Sequence, residues 1–380
     1  YMLQAELYKH HIGIFHLEFA TSLHNIGMVY IRLRHYREAE EYLSIACELR
    51  KNIFGSNNID YAISLEGLAG VYIETKNYDK AETYLLESLV IQKNNTDITT
   101  NLDFANTLNT LGHLYKSVNN YKKAKDFFHE ALKIRQDALG TSNSTYGITL
   151  ANIGICCCYL NDYIYAEKYL LEALDILRKN NEDDYIASTL NGLGVLYNDL
   201  GKYRTAEKYL FESLEIRKFI YGLEHPISAE TLHNIGTLYY DCGDYQKAET
   251  YLFQAMEIRK NILGTSHPEY LISLQCLADT YSSTEKNAIA KQYYYEVLDI
   301  RSSILGVEHP DYAISLNNLG AFYTKLGDYP TAIKYYTKAL NIQKTIFGKI
   351  NQNYVFCITP LISLINIQSV FGNRKISLAR

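Results

Sequence analysis

Leu190-Asn191-Gly192-Leu193-Gly194-Val195-Leu196-Tyr197, continued by Tyr203 and Ala206, decides the fold, because the chain returns to it again and again. The pattern Leu-x-x-Ile/Leu-Gly/Ala-x-x-Tyr is led in turn by Leu23, Leu65, Leu108, Leu150, Leu190, Leu232, Leu274 and Leu316. The spacings are 42, 43, 42, 40, 42, 42 and 42 residues. An alanine follows each copy at a near-constant offset, at Ala39, Ala81, Ala124, Ala166, Ala206, Ala248, Ala290 and Ala332. A tyrosine precedes that alanine in every copy but the seventh, which has Asn287. An aromatic residue such as Tyr42, Phe127 or Tyr251 follows it. A fixed period is the mark of a repeat architecture and is sought before any other feature.

The columns imply helices. Leu, Leu/Ile and Tyr at i, i+3 and i+7 lie on one face of an α-helix. Ala206, Leu210 and Ser213, at i, i+4 and i+7, mark a second. The segment between them is short and polar, as at Gly201-Lys202, Gly243-Asp244 and Gly327-Asp328, so each unit reads as a helical hairpin. The Gly/Ala of the first helix and the Ala of the second are expected to be small because two helices cross closely there. The second helix ends on glycine at Gly55, Gly140, Gly222, Gly264, Gly306 and Gly348, read as a left-handed cap. Three of these ends run into His225-Pro226, His267-Pro268 and His309-Pro310, where proline stops the helix from resuming, so the histidines read as turn residues.

Bulk composition excludes several classes. The 380 residues carry a net charge of −5, spread along the chain, whereas nucleic-acid binding usually calls for a basic face. Seven cysteines, an odd number in a long chain, do not resemble a secreted disulfide framework and favour a reducing, cytoplasmic setting. No metalloprotease, P-loop or nucleophile-elbow motif is present. No enzyme activity, cofactor or metal site is expected. Consecutive helical residues point about 100° apart, so Cys156, Cys157 and Cys158 cannot share one metal and read as core.

The columns resemble those of the tetratricopeptide repeat family, and the 42-residue period resembles its long-repeat branch, found in kinesin light chains. The resemblance covers roughly residues 19–366. It implies an all-α fold: a right-handed superhelical solenoid of about eight helix–turn–helix repeats, whose first helices line a concave groove. Repeats are expected to start near residues 19, 61, 104, 146, 186, 228, 270 and 312, filling 19–348. Shifted by one period, residues 1–18 read as the tail of a truncated upstream repeat. Residues 349–380 read as a partial ninth repeat or cap, with Pro360, Asn366 and Gln368 arguing against a membrane span. Two departures mark places where the pitch could change. The seventh repeat has Ser282-Ser283-Thr284-Glu285-Lys286-Asn287 at its turn, and the fourth ends at Asn180-Asn181-Glu182 without glycine.

In long-repeat relatives, asparagines in Leu-Asn-Asn-Leu commonly hydrogen-bond a bound peptide's backbone. The motif is whole at Leu316-Asn317-Asn318-Leu319 and partial at Asn25, Asn109, Asn152, Asn191 and His233-Asn234. An amide both donates and accepts, so it pairs with any peptide bond. Asn198, Asp199, Tyr240 and Asp241 fall further along the same helices. With Glu230 and Asp279 they make the central groove acidic, favouring a neutral or basic segment. The Lys/Asn clamp by which some relatives hold a terminal carboxylate is not assembled. His24, His113 and His233, near the groove side, could tune binding near pH 6. The expected function is a protein–protein interaction scaffold for a protein or peptide ligand. The alternative is a sensory or regulatory segment of a larger multidomain enzyme or nucleotide-binding switch protein. No nucleic acid or membrane partner is expected, and self-association is left open.

Overall fold

Helix boundaries follow the turn chemistry. The computed structural model describes residues 17–33, 35–95 and 101–347, and its described residues hold sixteen helices and no strand. First and second helices alternate: α1 (Leu17–Arg32), α2 (Tyr36–Phe54), α3 (Ile59–Glu74), α4 (Tyr78–Asn95), α5 (Leu102–Ser117), α6 (Tyr121–Leu139), α7 (Ser144–Tyr159) and α8 (Tyr163–Lys179). They continue as α9 (Asp183–Asp199), α10 (Tyr203–Tyr221), α11 (Pro226–Asp241), α12 (Tyr245–Leu263), α13 (Pro268–Ser283), α14 (Asn287–Leu305), α15 (Pro310–Lys325) and α16 (Tyr329–Phe347). The chain forms two compact units that meet in sequence between Leu196 and Tyr197, inside α9. The half-repeat read at 1–18 lies outside the described residues except for Leu17 and Glu18, and the segment 349–380 lies wholly outside them.

Within each unit, first and second helices pair as hairpins, α1 with α2, α3 with α4 and so on, and a second helix packs on the first helix of the next repeat. The small columns sit at the crossing. The Ala column is fully buried. A Cβ added to Gly236 would lie 2.5 Å from Leu252 Cγ, and one on Gly112 would lie 2.5 Å from the Phe128 ring. The hole in the first helix is therefore filled by the large residue four places after the alanine of the second.

The turn inside each hairpin from the second onward is a Schellman motif. One residue takes positive φ, at Lys76, Asn119, Asn161, Gly201, Gly243, Glu285 or Gly327. The next backbone N–H returns to the column residue five places earlier, as from Asp244 to Tyr239 O at 2.8 Å and Asn120 to Tyr115 O at 2.8 Å. The seventh repeat keeps this geometry despite its different sequence, with Glu285 at φ 60° and Lys286 N bonded to Tyr281 O at 2.9 Å. The fourth repeat ends in a similar turn, with Asn181 at φ 55° and Glu182 N bonded to Leu177 O.

Among the described residues, the glycines that end the second helices differ from the left-handed cap expected of them, and Gly348 lies outside those residues. Gly222 has φ 86° and ψ 162°, and Gly55 φ 81° and ψ 172°. That extended, positive-φ region is essentially glycine's alone. The histidines before proline cap the helices that follow. Nδ1 of His225, His267 and His309 accepts the backbone N–H two residues on, as Oδ1 of Asn58, Asn101 and Asn143 does in earlier repeats. His309→Asn should therefore leave the thermal midpoint nearly unchanged, whereas His309→Ala should cost about 1 kcal/mol. Equal midpoints for the two variants would show that the cap contributes nothing.

The tyrosine column has a polar task besides packing. Tyr239 stacks on Tyr251 at 5.6 Å and donates through its hydroxyl to Glu207 of the preceding repeat at 2.6 Å. Lys247 Nζ lies 4.6 Å from the same ring. Tyr72 and Tyr115 donate in the same way to Glu40 and Glu82. Where Cys157 replaces the tyrosine, Lys125 stands in the glutamate's place. Cys156, Cys157 and Cys158 are all buried, and burial pushes the Cys156 thiol up to about 12. No His/Cys/Asp/Glu group among the described residues could hold a metal ion.

Candidate functional site: the first-helix face

Counting from the leading leucine, positions −2, +2, +5 and +9 lie four, three and four residues apart, so they share one helical face. That face carries the partly exposed polar residues of the first helices. In unit 1 it holds Asn25 and Thr110, half-buried, and Asn106, exposed. In unit 2 it holds Asn234 and Asn318, half-buried, with Asp199, Glu230 and Asp241 exposed. Position +1 turns inward. Asn191 and Asn317 are 7% exposed there, and Asn109 is half-buried. Asn152, at +2, is 8% exposed, and its amide lies 3.4 Å from His113 Nε2. The expected residues thus divide: Asn25, Asn234 and Asn318 stand half-buried on the open face, whereas Asn152, Asn191, Asn317 and His233 are buried.

The ends of successive first helices are linked in series. Asn198 Nδ2 donates to Asp241 Oδ2 at 2.6 Å. The Tyr240 hydroxyl lies 3.3 Å from Ser283 Oγ, and Lys325 Nζ donates to Ser282 O at 2.8 Å. Burial and the neighbouring Asp241 carboxylate both raise Asp199 above the usual carboxylate range. Burial likewise raises Asp279, whose Oδ1 accepts from the Tyr294 hydroxyl at 2.6 Å. Asp279 and Glu230 are thus already engaged, Glu230 by Arg217 at 3.0 Å, and Asp199 and Asp241 carry the open negative charge.

The histidines depart from the expectation of a response near pH 6. Burial, reinforced by Arg50, lowers His24 to about 4. Burial lowers His113 to about 4, with Lys116 and Arg135 adding to it. Burial and Arg259 lower His233 to about 3. Each imidazole is neutral in the folded chain around pH 6, because a buried cation beside a guanidinium is doubly disfavoured.

One column carrying much of the polar structure is not evident from apolar periodicity. Arg50, Gln92, Arg135, Leu177, Arg217, Arg259, Arg301 and Gln343 recur near the ends of the second helices with the same period. Their guanidinium groups join neighbouring first helices. Arg50 Nη1 donates to Asp60 O at 3.1 Å and Ser64 Oγ at 2.9 Å in the next repeat, and Nη2 to Thr21 Oγ1 at 3.2 Å in its own. Arg259 donates to Glu269 O at 3.1 Å and Ser273 Oγ at 2.6 Å. The hydroxyl column is Ser22, Ser64, Thr107, Thr149, Thr189, Thr231, Ser273 and Ser315, directly before each leading leucine. A count of polar residues at the 42-residue period would have revealed both columns.

Pockets lie elsewhere. A shallow cleft of about 700 Å³ opens on the second-helix side, between α12 and the turn after α13, lined by Glu249, Phe253, Tyr281 and Lys286. No helix among the described residues is long and apolar enough to cross a membrane.

A family model described as "Tetratricopeptide repeat" matches residues 18–94, 103–179, 185–261, 230–303 and 270–345. No curated protein matches the sequence. Among solved structures, the chain is similar to the apo form of the quorum sensor NprR from B. thuringiensis, with 16% identity, 92% of this chain and 99% of that one covered, and a TM-score of 0.55. It is similar to a Rap protein complexed with Competence and Sporulation Factor, at 15% identity, coverages of 93% and 99%, and a TM-score of 0.57. It is also similar to a signal transduction ATPase with a tetratricopeptide repeat sensor from Pyrococcus horikoshii, at 16% identity, coverages of 86% and 48%, and a TM-score of 0.56. At these identities the likeness is one of fold.

Proposed function

This chain belongs to the tetratricopeptide repeat family, and from that premise we propose that it is a non-enzymatic interaction scaffold whose first-helix groove holds a peptide segment. The observation that carries the proposal is the open face itself. The first helices present partly exposed amides at position +2, Asn25 in unit 1 and Asn234 and Asn318 in unit 2, and Asn198 joins Asp241 of the next repeat beside them. Asn109, Asn152, Asn191, His233 and Asn317, being more enclosed, would act by holding their neighbours in place. Tyr240 offers a ring near Asp241, and the carboxylates of Asp199 and Asp241 favour a segment that is neutral or basic overall. The Rap protein of like fold is complexed with a factor, which supports a bound partner for an array of this fold.

A second reading, a regulatory segment of a larger protein, is favoured by the likeness to an ATPase's repeat sensor. Under that reading the groove would hold another part of the same protein. The test is a displayed-peptide selection on this chain, repeated with Asn234→Ala and Asn318→Ala together. Enrichment of a shared motif that falls at least about tenfold in the double variant, as loss of two peptide hydrogen bonds implies, is expected. Enrichment unchanged by the substitutions would remove the groove from consideration.

A further inference from the structure

The arginine column is satisfied differently at each repeat junction, and one junction stands apart. Each guanidinium donates through Nη1 to a carbonyl ten residues on and a hydroxyl fourteen residues on. Arg259 Nε lies 3.4 Å from the Glu269 carboxylate, whereas in Arg50 and Arg135 the remaining Nη2 is turned towards position −2 of the first helix of the same repeat. There Thr21 Oγ1 receives Arg50 Nη2 at 3.2 Å, and Asn106 Oδ1 receives Arg135 Nη2 at 2.8 Å. Glu230 occupies position −2 in the sixth repeat. Its Oε2 receives Arg217 Nη1 at 3.0 Å, and its charge also acts on Arg259.

Arg301 has none of these. The place of Thr21 and Asn106 is held by Ile272, twenty-nine residues before it, and the place of Glu230 by Ile314, thirteen residues after it. It is the one arginine of the column flanked by apolar residues at both positions. Nη1 of Arg301 keeps its bonds to Asp311 O at 3.1 Å and Ser315 Oγ at 2.8 Å, so the guanidinium is fixed in place. Asp311 is the nearby charge that acts on it, and the two side chains form no ion pair within 4 Å. Ile272 and Ile314 are 45% and 43% exposed, large apolar side chains on the same face of α13 and α15.

We propose that Arg301, held between Ile272 and Ile314, is an anchor for a carboxylate borne on an apolar stretch of the bound peptide. The ligand oxygen takes the place that Asn106 Oδ1 or Glu230 Oε2 fills at the other junctions. The planar guanidinium keeps an edge of N–H donors matched to a carboxylate. The two isoleucines exclude water around that contact and cover the ligand's apolar side chains. Resting on the groove reading above, the proposal gives the segment a polarity within unit 2. Its carboxylate lies at the α13–α15 junction and its basic or neutral part near Asp199 and Asp241.

The test uses three synthetic peptide pools with apolar residues at most positions. One pool has a free C-terminal carboxylate, a second is C-terminally amidated with a single internal Asp or Glu, and a third is amidated and free of acids. Retention on the immobilised chain is compared for the wild type, Arg301→Gln, Ile272→Asn and Arg135→Gln. Glutamine is native to this column at Gln92 and Gln343, so Arg301→Gln should fold. Ile272→Asn gives Arg301 an internal amide, as Asn106 gives Arg135, and removes the site without touching the arginine. The expected result is retention of a carboxylate pool about tenfold above the acid-free pool, the worth of one charge-assisted hydrogen-bond pair. That preference should be lost in Arg301→Gln and Ile272→Asn and kept in Arg135→Gln. Whichever of the first two pools is retained identifies the source, a chain terminus or an acidic side chain. Equal retention of all three pools, or a preference that survives both variants, overturns the carboxylate anchor and leaves the groove reading standing. Retention of no pool by the wild type overturns both.

Discussion

Arg259→Ala is expected to destabilise the junction between α11, α12 and α13 by about 3–5 kcal/mol, the range for truncating a long buried side chain and leaving its buried partners unpaired. Arg259 is buried with Ser273 beneath it, and the truncation would leave the Ser273 hydroxyl and the Glu269 carbonyl without their donor. It would also leave the Glu269 carboxylate, 3.4 Å from Nε, without its counter-charge, and open a cavity where the side chain ran. In a repeat array stability is a sum of repeat and nearest-neighbour terms. The loss should therefore appear first in the amides of α12 and α13, followed by hydrogen exchange, while those of α1–α5 keep their protection. Arg259→Gln should cost less, since Gln92 Nε2 reaches the Thr107 hydroxyl at 3.2 Å in the corresponding place. A loss below about 1 kcal/mol for the alanine variant, the size of an ordinary solvated hydrogen bond, would mean that the apolar columns alone hold the repeats together.

The second large effect is acid lability. His24, His113 and His233 have folded-state pKa values lowered to about 4, 4 and 3, against an unfolded value near 6.5. Between those limits the unfolded chain binds protons that the folded chain does not, so stability falls as pH falls. The loss begins near pH 6.5 and ends near the folded values. Each imidazole removes about 2 kcal/mol between pH 7 and pH 5, by linkage at about 1.4 kcal/mol per pH unit. Unit 1 holds two of the three and should be the more acid-sensitive. Burial raises Glu66 and Asp279, and they act with the opposite sign, gaining stability as they protonate at lower pH. Substitution isolates the imidazoles: His24→Asn and His233→Asn place at +1 the residue already found at Asn109, Asn191 and Asn317. Urea midpoints at pH 7 and pH 5 should lie closer together in the double variant than in the wild type. An unchanged gap would mean that the carboxylates, and not the imidazoles, govern the acid transition.

The candidate site was partly legible. Asn25, Asn234 and Asn318, named with the others from the Leu-Asn-Asn-Leu motif, fall on the open face, because position +2 shares a helical face with the exposed +9 residues Asp199 and Asp241. Asn191, Asn317 and His233 fall one residue earlier, and one residue rotates a helical side chain by about 100°, enough to bury it. The supposed acidity of the groove shrinks for a similar reason. Glu230 and Asp279 are drawn to Arg217 and Tyr294, partners that a sequence places dozens of residues away or on another helix. Arg301 was invisible as a special position, since its distinction lies in what stands twenty-nine residues before and thirteen after it.

The sequence by itself determined the all-helical class, the repeat count, the hairpin in each unit and the columns of small residues. Those depend on local periodicity and on turn residues, which act within one repeat and recur eight times. Only the tertiary structure decided the rest. It turned the terminal glycines into an extended positive-φ link, made the histidines before proline into helix caps, and kept an ordinary turn in the seventh repeat. It also assigned the tyrosine hydroxyls to glutamates of the preceding repeat and the arginines to hydroxyls of the next. Such pairings depend on how one repeat is set against another, and that setting comes from side-chain packing between repeats, to which the periodicity within a single repeat is blind.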